Sequence, residues 1–224
     1  MRFPELDDPL AALESGRVLV DGRPVWNPAS QVQPGASLVV RPARAPRGAA
    51  KLEAALERFR APVSGRIALD LGASTGGFTS VLLAHGAARV YAVDAGHGQL
   101  LGSLRQDPRV VNLEATNLAR VDRRLVPDLV EVVTVDLSFI ALARALPQLD
   151  PELLAPGADL LALVKPMFEL GLGAPPTSEE QLEEAVRRAA AGAAQAGWHG
   201  VESARSPVLG AGGAVEFLLH ARRR

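Results

Sequence analysis

Short apolar runs separated by segments with helical patterns dominate the chain after Lys51. The strand candidates are IALDL (67–71), RVYAVD (89–94), RVVNL (109–113), VEVVTVDL (130–137) and ADLLALVKP (158–166), with two more at 200–204 and 215–221. Helix candidates lie between them, at 51–59, 77–85, 141–154 and 177–196. This alternation predicts an α/β fold with a doubly wound, mostly parallel sheet, in which ligands bind at the carboxyl ends of the strands.

The N-terminal part of the chain has a different pattern. Residues 16–40 alternate apolar and polar side chains around Asp21-Gly22, a hairpin turn signal, and a short helix at 9–14 precedes them. We therefore expect a small α+β domain at 1–42, a Pro- and Arg-rich linker at 43–50 and the α/β domain at 51–224. Basic residues concentrate at 15–51 and at 222–224, which suits either a phosphate backbone or an ordinary solvated surface.

Composition excludes several kinds of site. The chain has no cysteine, which rules out disulfides and thiolate metal sites, and its four histidines show no metal-ligand spacing. Its first residues lack the apolar core of a signal peptide, and no apolar run approaches the ~20 residues that span a bilayer. We expect a cytoplasmic protein without a metal or a membrane partner.

The stretch DLGASTGGFTS (70–80) predicts a strand, a glycine-rich turn and a helix. Its spacing fits neither the G-x-G-x-x-G fingerprint nor a P-loop. Asp70 at the mouth of the turn would repel a pyrophosphate, but it suits the ammonium and sulfonium of S-adenosylmethionine. Asp94 ends the second strand and is placed to bind a ribose diol. A purely structural turn is the alternative. The residues alone therefore suggest Asp70, Asp94 and the amides at the helix N-terminus after Gly77 as cofactor contacts.

Lysine is rare in this chain: Lys51 and Lys165 are the two lysines among 24 basic residues. A lysine can lose its proton when desolvated, whereas an arginine cannot. Lys165 ends the fifth strand and Asp136 the fourth, while Glu216 lies in the last strand. We expect Lys165 to be the base that helps a ribose 2′-hydroxyl attack a sulfonium methyl group, assisted by burial and by Lys51, with the two acids orienting the ammonium groups. Ordinary strand-end ion pairs are the alternative.

Several motifs together resemble the TlyA (hemolysin A-type) ribosomal RNA ribose methyltransferases, whose catalytic domain is FtsJ-like. The motifs are DLGASTGGFT, RVYAVDAGHGQL, LRQDPRVV, VDLSFI, ALVKPMFE and SPVLGAGGAVEFLLH. The resemblance implies a Rossmann-like methyltransferase sheet and a Lys-Asp-Lys-Glu catalytic tetrad at Lys51, Asp136, Lys165 and Glu216. It also implies S-adenosylmethionine as cofactor and a cytidine ribose of ribosomal RNA, free or in a ribosomal subunit, as substrate. The cofactor-binding segments that it implies contain Asp70, Gly72, Ala73, Ser74, Gly76, Gly77, Phe78, Asp94, Asn117 and Asp136.

The same resemblance identifies the N-terminal hairpin as part of an αL RNA-binding domain, which we expect to be partial because only nine residues precede Leu10. The sequence departs from the family pattern at Ala115, Leu209, Gly212 and Ala214, and at 47–50. These departures leave two alternatives: a cofactor-binding protein with a lost or altered RNA substrate, and a hemolysin. A nicotinamide dehydrogenase is disfavoured because the glycine loop has the wrong spacing.

Overall fold

The computed structural model describes residues 9–14, 16–41 and 47–224. The strands are β1 (Val18–Val20), β2 (Arg23–Pro24), β3 (Leu38–Val40), β4 (Ile67–Leu71), β5 (Arg89–Val93), β6 (Val110–Leu113), β7 (Val130–Val135), β8 (Leu154–Val164), β9 (Trp198–Arg205) and β10 (Phe217–Arg223). The helices are α1 (Pro9–Glu14), α2 (Arg47–Phe59), α3 (Gly77–Ala84), α4 (Gly102–Gln106), α5 (Leu142–Ala145), α6 (Pro166–Glu169) and α7 (Glu179–Gln195).

The large sheet has the strand order β6-β5-β4-β7-β8-β10-β9. Its strands are parallel except β10, which runs antiparallel to both neighbours. The chain builds outward from β4 in both directions, so the expected doubly wound, mostly parallel sheet is confirmed. Leu71 pairs with both Val93 and Val135, so β4, β5 and β7 end at one level. The crevice above this edge is where such sheets bind ligands.

Helices cover both faces of this sheet. On one face, α2 and α3 bury Leu52, Leu56 and Leu82 against the sheet, as the 3–4 residue spacing of apolar side chains in α2 predicts. On the other face, α7 contributes small residues, including Ala189 and Ala193, to a second core. The central strands β4, β5, β7 and β8 are buried on both sides over most of their length, which explains why their sequences are continuous apolar runs.

Several boundaries differ from the sequence predictions: β8, for example, spans Leu154–Val164 and not 158–166, and three predicted helices begin or end at least two residues away from their expected positions. The helix predicted at 141–154 is interrupted at its prolines: α5 has four residues and is followed by 3₁₀ turns at Leu146–Gln148 and Pro151–Leu153. Helix α2 already begins at Arg47, inside the predicted linker. Helix α7 begins at Glu179, two residues after the predicted start at 177. Its N-cap is Ser178, whose Oγ accepts a hydrogen bond from the Gln181 amide.

The N-terminal residues form a separate antiparallel sheet with the order β2-β1-β3. Asp21 and Gly22 both have positive φ values, 48° and 79°, as a two-residue hairpin turn requires. Asp21 Oδ1 also accepts a hydrogen bond of 2.9 Å from the Ser37 amide, which ties this turn to the segment before β3. The predicted hairpin is therefore present; residues 1–8 and 42–46 of the predicted small domain and linker lie outside the described residues.

The arginines that end the chain lie far from the ligand-binding edge. Because β10 is antiparallel to β8, its last residues lie at the amino end of β8, where Arg222 Nε donates to Asp159 at 2.9 Å. Arg223 donates to the Ala196 carbonyl oxygen. These two arginines are structural contacts of the sheet. Within the part of the chain that the structure describes, no helix combines the length and the apolar character needed to cross a bilayer.

Candidate active site

The structure brings all four predicted catalytic residues to the carboxyl edge of the large sheet. Asp136 follows β7 and Lys165 follows β8, while Glu216 immediately precedes the antiparallel β10 and so reaches the same edge. Lys51 comes from α2, which packs against α3 and β10. Four residues separated by up to 165 positions in sequence thus line one cavity of about 380 Å³.

Lys51 and Glu216 form a buried ion pair. Lys51 Nζ donates to Glu216 Oε2 at 2.6 Å, and each side chain is only 7% exposed. A pair this dry depends on good geometry, because each charge has lost its water. Gly210 supplies the room: a Cβ at that position would collide with the Glu216 carboxylate. The glycine-rich segment before β10 therefore leaves the space that the Glu216 carboxylate occupies.

Lys165 and Asp136 form the second pair, closer to solvent. Lys165 Nζ lies 2.7 Å from Asp136 Oδ1, with side chains 15% and 23% exposed. This contact is an ion pair without the angle of a well-aligned hydrogen bond. Lys165 Nζ also donates to Ser138 Oγ at 3.1 Å. Each lysine therefore has its own carboxylate, an arrangement more specific than two acids shared by two ammonium groups.

An aromatic residue at this cavity was missed by the sequence analysis. Phe139 is 91% exposed and adopts a left-handed backbone with φ of 68°, which a bulky side chain rarely takes. Its ring lies against that of Phe168, with centroids 5.6 Å apart. The remaining wall of the cavity is apolar and includes Met167, Pro175, Pro176 and Val215. An aromatic residue three positions after the strand-end acid Asp136 was the signal in the sequence.

The glycine loop brings β4 close to β7. Gly72 has φ of 86°, and a Cβ there would come within 2.5 Å of the Asp136 carbonyl oxygen, so only glycine fits. The Gly72 and Ala73 amides donate to the Val93 carbonyl oxygen. Gly76, also left-handed with φ of 95°, is the N-cap of α3, which begins at Gly77 with the buried Phe78. One function of the loop is therefore to let Asp136 approach the end of β4.

Asp70, which the sequence predicts at the mouth of this loop, is buried in the fold. Its carboxylate is completely buried between α3 and β7, where it accepts hydrogen bonds from Thr79 Oγ1 at 2.6 Å and Thr134 Oγ1 at 2.8 Å. Burial outweighs these two hydrogen bonds and raises the pKa of Asp70 to about 6. Both oxygens are occupied within the fold. A direct contact with a bound ammonium or sulfonium stays a prediction, which this geometry does not favour.

A second cavity, of about 240 Å³, lies above the ends of β4 and β5. Gly72, Asp94 and Asn117 line it, together with apolar side chains that include Val93, Leu118 and Leu137. Asp94 accepts hydrogen bonds from the Ser74 and Gly96 amides, at 2.8 and 2.7 Å, which fix its carboxylate at the rim.

One acid for a diol and apolar walls for a planar base fit the nucleoside part of S-adenosylmethionine. The described ranges contain no group of three or more His, Cys, Asp or Glu side chains that could hold a metal ion.

Ser138 lines both cavities, so the nucleoside-sized space and the space between the lysines adjoin each other. The residues predicted from the sequence therefore divide into three groups. The catalytic four surround one cavity, and Gly72, Asp94 and Asn117 line the other. The rest belong to the glycine loop and its flanks and line neither cavity; Ser74 is exposed, and the others, Asp70, Ala73, Gly76, Gly77 and Phe78, are buried.

Residues 45–223 match the family model of the FtsJ-like methyltransferases. Over 217 residues, the chain is 45% identical to the 16S/23S rRNA (cytidine-2′-O)-methyltransferase TlyA of Mycobacterium tuberculosis, covering 93% of this chain and 81% of that protein.

Among solved structures, a Streptococcus thermophilus protein named only as a candidate hemolysin is 34% identical, with a TM-score of 0.76 over 95% of this chain and 80% of that one. An S-adenosylmethionine-dependent methyltransferase from Mesorhizobium loti, 17% identical with a TM-score of 0.56 over 79% of this chain and 99% of that one, shares the fold.

Proposed function

Because the chain belongs to the FtsJ-like methyltransferases, and among them to the TlyA family, we propose that it methylates the ribose 2′-hydroxyl of a cytidine in ribosomal RNA, with S-adenosylmethionine as methyl donor. The substrate is carried over from the name of the Mycobacterium tuberculosis relative. Ribosomal RNA or a ribosomal subunit is then the partner, and the cytoplasm is the place of action.

The observation that carries this proposal is that the two cavities adjoin each other. Lys165, paired with Asp136, lines the first cavity, and the second cavity suits a nucleoside; Ser138 lines both. A methyl transfer needs the acceptor oxygen and the donor carbon in contact and aligned, which two adjoining cavities provide.

In this proposal, Lys165 takes the proton of the acceptor hydroxyl. S-adenosylmethionine, when bound, supplies an electrophilic methyl group. A ribose hydroxyl is a weak nucleophile, and removal of its proton as the oxygen attacks lowers the barrier. The proton passes to Lys165 Nζ, where the adjacent Asp136 stabilises the ammonium that forms. Lys51 and Glu216, dry and tightly paired, hold the opposite wall of the cavity.

Phe139 and the apolar wall suit a nucleobase. A ribose can enter the cavity only if its base is accommodated nearby, and an exposed aromatic ring offers a face on which any base can stack. Base–aromatic stacking is worth about 1–3 kcal/mol. The ring lies beside Phe168 and next to the lysine pair, so a stacked base would leave its ribose close to Lys165.

The test is transfer of labelled methyl groups to each ribosomal subunit, isolated from cells that lack this protein. Wild type is compared with Lys165→Arg, which keeps the positive charge but cannot accept a proton, and with Arg224→Ala as a control at the far edge of the sheet. We expect label on ribosomal RNA, at a nucleotide whose 3′ linkage resists alkali because the 2′-oxygen is methylated. Lys165→Arg should abolish this labelling, and Arg224→Ala should not.

Two outcomes would contradict the proposal. Tight binding of S-adenosylmethionine with no transfer to either subunit would support a cofactor-binding protein that has lost this substrate. Full activity of Lys165→Arg would remove Lys165 from the role of base. Lysis of lipid vesicles by the pure protein, measured in parallel, would support the hemolysin alternative that the names of some relatives suggest.

A further inference from the structure

Ser138 is a polar residue at the active site that belongs neither to the two lysine–carboxylate pairs nor to the predicted cofactor residues. Its hydroxyl oxygen accepts a hydrogen bond of 3.1 Å from Lys165 Nζ, and Ser138 lines both cavities. Among the described residues, Lys165 Nζ also forms its ion pair with Asp136 Oδ1 at 2.7 Å. The amine of the proposed base is therefore held at two points.

The chemistry of an amine makes these two contacts significant. A neutral lysine amine carries two N–H bonds and one lone pair in a tetrahedral arrangement around nitrogen. When one N–H is hydrogen-bonded to Ser138, the negative charge of Asp136 draws the second N–H to its side without a well-aligned hydrogen bond, and the lone pair occupies the remaining direction. Without the Ser138 contact, the amine can rotate about its Cε–Nζ bond, and its lone pair points toward the substrate only part of the time.

We infer that Ser138 is a positioning residue, whose hydroxyl takes up the second N–H of Lys165 and so aims the amine lone pair into the cavity that receives the ribose. This inference rests on the proposed function. In the reaction the lone pair accepts the 2′-hydroxyl proton, and the resulting ammonium keeps its contacts to Asp136 and Ser138, so nothing at the base has to rearrange.

The segment that carries Ser138 is anchored on both sides. Asp136 donates its amide to the Leu71 carbonyl oxygen before it, and after it the Leu142 amide donates to Glu169 Oε1 at 2.6 Å. Glu169 is buried and belongs to α6, the helix that begins directly after Lys165. The segments that carry Ser138 and Lys165 are thus connected to each other by the hydrogen bond between Leu142 and Glu169.

The test compares Ser138→Ala, which removes the acceptor, with Ser138→Thr, which retains a hydroxyl. Ser138 is exposed, so neither change should alter the midpoint of urea unfolding appreciably. For Ser138→Ala we expect kcat to fall about 10- to 100-fold, while KM for the ribosomal subunit and the Kd of S-adenosylmethionine stay within about twofold. Ser138→Thr should restore most of kcat, because its hydroxyl can accept the same hydrogen bond.

A second readout needs no activity. Since the chain contains only two lysines, selective ¹³C,¹⁵N-lysine labelling yields one set of signals each for Lys51 and Lys165. Ser138→Ala should shift the Cε and Nζ resonances of Lys165 in the cofactor-free protein and leave those of Lys51 in place, which provides an internal control. Ser138→Thr should return the Lys165 signals toward their wild-type positions.

The outcomes separate this inference from the function on which it rests. An inactive wild type would contradict the proposed function, whatever Ser138 does. An active wild type whose kcat is unchanged by Ser138→Ala, or a Lys165 resonance that does not move, would overturn the positioning role alone. A rise in KM with unchanged kcat would also overturn it, because it would place Ser138 in substrate binding instead.

Discussion

Asp70 gives the sharpest prediction, because its carboxyl group is buried without a cationic partner. Desolvation raises its pKa to about 6 from an ordinary 3.8, and the hydrogen bonds from Thr79 and Thr134 offset only part of this effect. Between these two pH values the folded protein binds a proton that the unfolded chain has released. Stability must therefore fall as the pH rises from about 4 to about 6 and stay reduced above that.

The size of the effect follows from the shift. Each pKa unit corresponds to about 1.4 kcal/mol, so a shift from 3.8 to about 6 costs the folded state about 3 kcal/mol at neutral pH. Asp70→Asn has nearly the same shape and no charge, and its amide can both donate and accept toward the two threonines. We expect this variant to be more stable than wild type at pH 7 to 8, by up to about 3 kcal/mol.

The assay is urea unfolding of wild type and Asp70→Asn at intervals from pH 4 to pH 8. The difference in unfolding free energy should grow in favour of the variant as the pH rises, and then level off above about pH 6 to 7. Thr134→Val is a matched control: removing one hydrogen bond to the carboxylate should raise the pKa of Asp70 further, so the loss of stability becomes larger and extends to higher pH. A difference that does not change with pH, or that grows as the pH falls, would refute the argument.

Three further outcomes are expected. Burial would raise the pKa of Asp159, but hydrogen bonds from His220 and two arginines outweigh it and lower that pKa to about 2. Wild type should therefore lose about 2 kcal/mol of unfolding free energy as the pH falls from about 4 to about 2, and Asp159→Asn should lack this loss in urea unfolding. Gly210→Ala should displace the Glu216 carboxylate and lower single-turnover methyl transfer at least about 10-fold, with the Kd of S-adenosylmethionine unchanged. Phe139→Ala should leave the melting temperature unchanged and reduce methyl transfer about 10-fold; full activity would exclude a stacking role.

Much of the catalytic domain can be predicted from the sequence because its signals are local. The strand at 67–71 has the bounds that its apolar run predicts, and the turn at 72–76 contains the glycines that positive φ values demand. Errors arose where local signals compete. Two prolines inside the apolar pattern at 141–154 interrupt the helix that the pattern favours.

The candidate site could be predicted only in part from the sequence; the rest depended on the tertiary structure. Strand-end positions placed Asp136 and Lys165 at one edge of the sheet, since parallel strands present their carboxyl ends together. Glu216 reaches the same edge because β10 runs antiparallel to β8, a direction that the sequence did not indicate. The sequence could not assign each lysine to its carboxylate, since that pairing depends on how α2 and β10 pack, nor could it show that Ser138 contacts Lys165.

What the sequence determined by itself, then, is the order of strands and helices, the glycine turn and the set of chemical groups at the sheet edge, because periodicity, backbone freedom and residue type are local properties. The tertiary structure alone decided the direction in which each side chain points. Asp70 is the clearest case: it belongs to the same motif as the glycines, yet it faces Thr79 and Thr134. Whether a carboxylate meets a ligand or the protein interior depends on contacts between residues distant in sequence, and these form only when the sheet is covered by its helices.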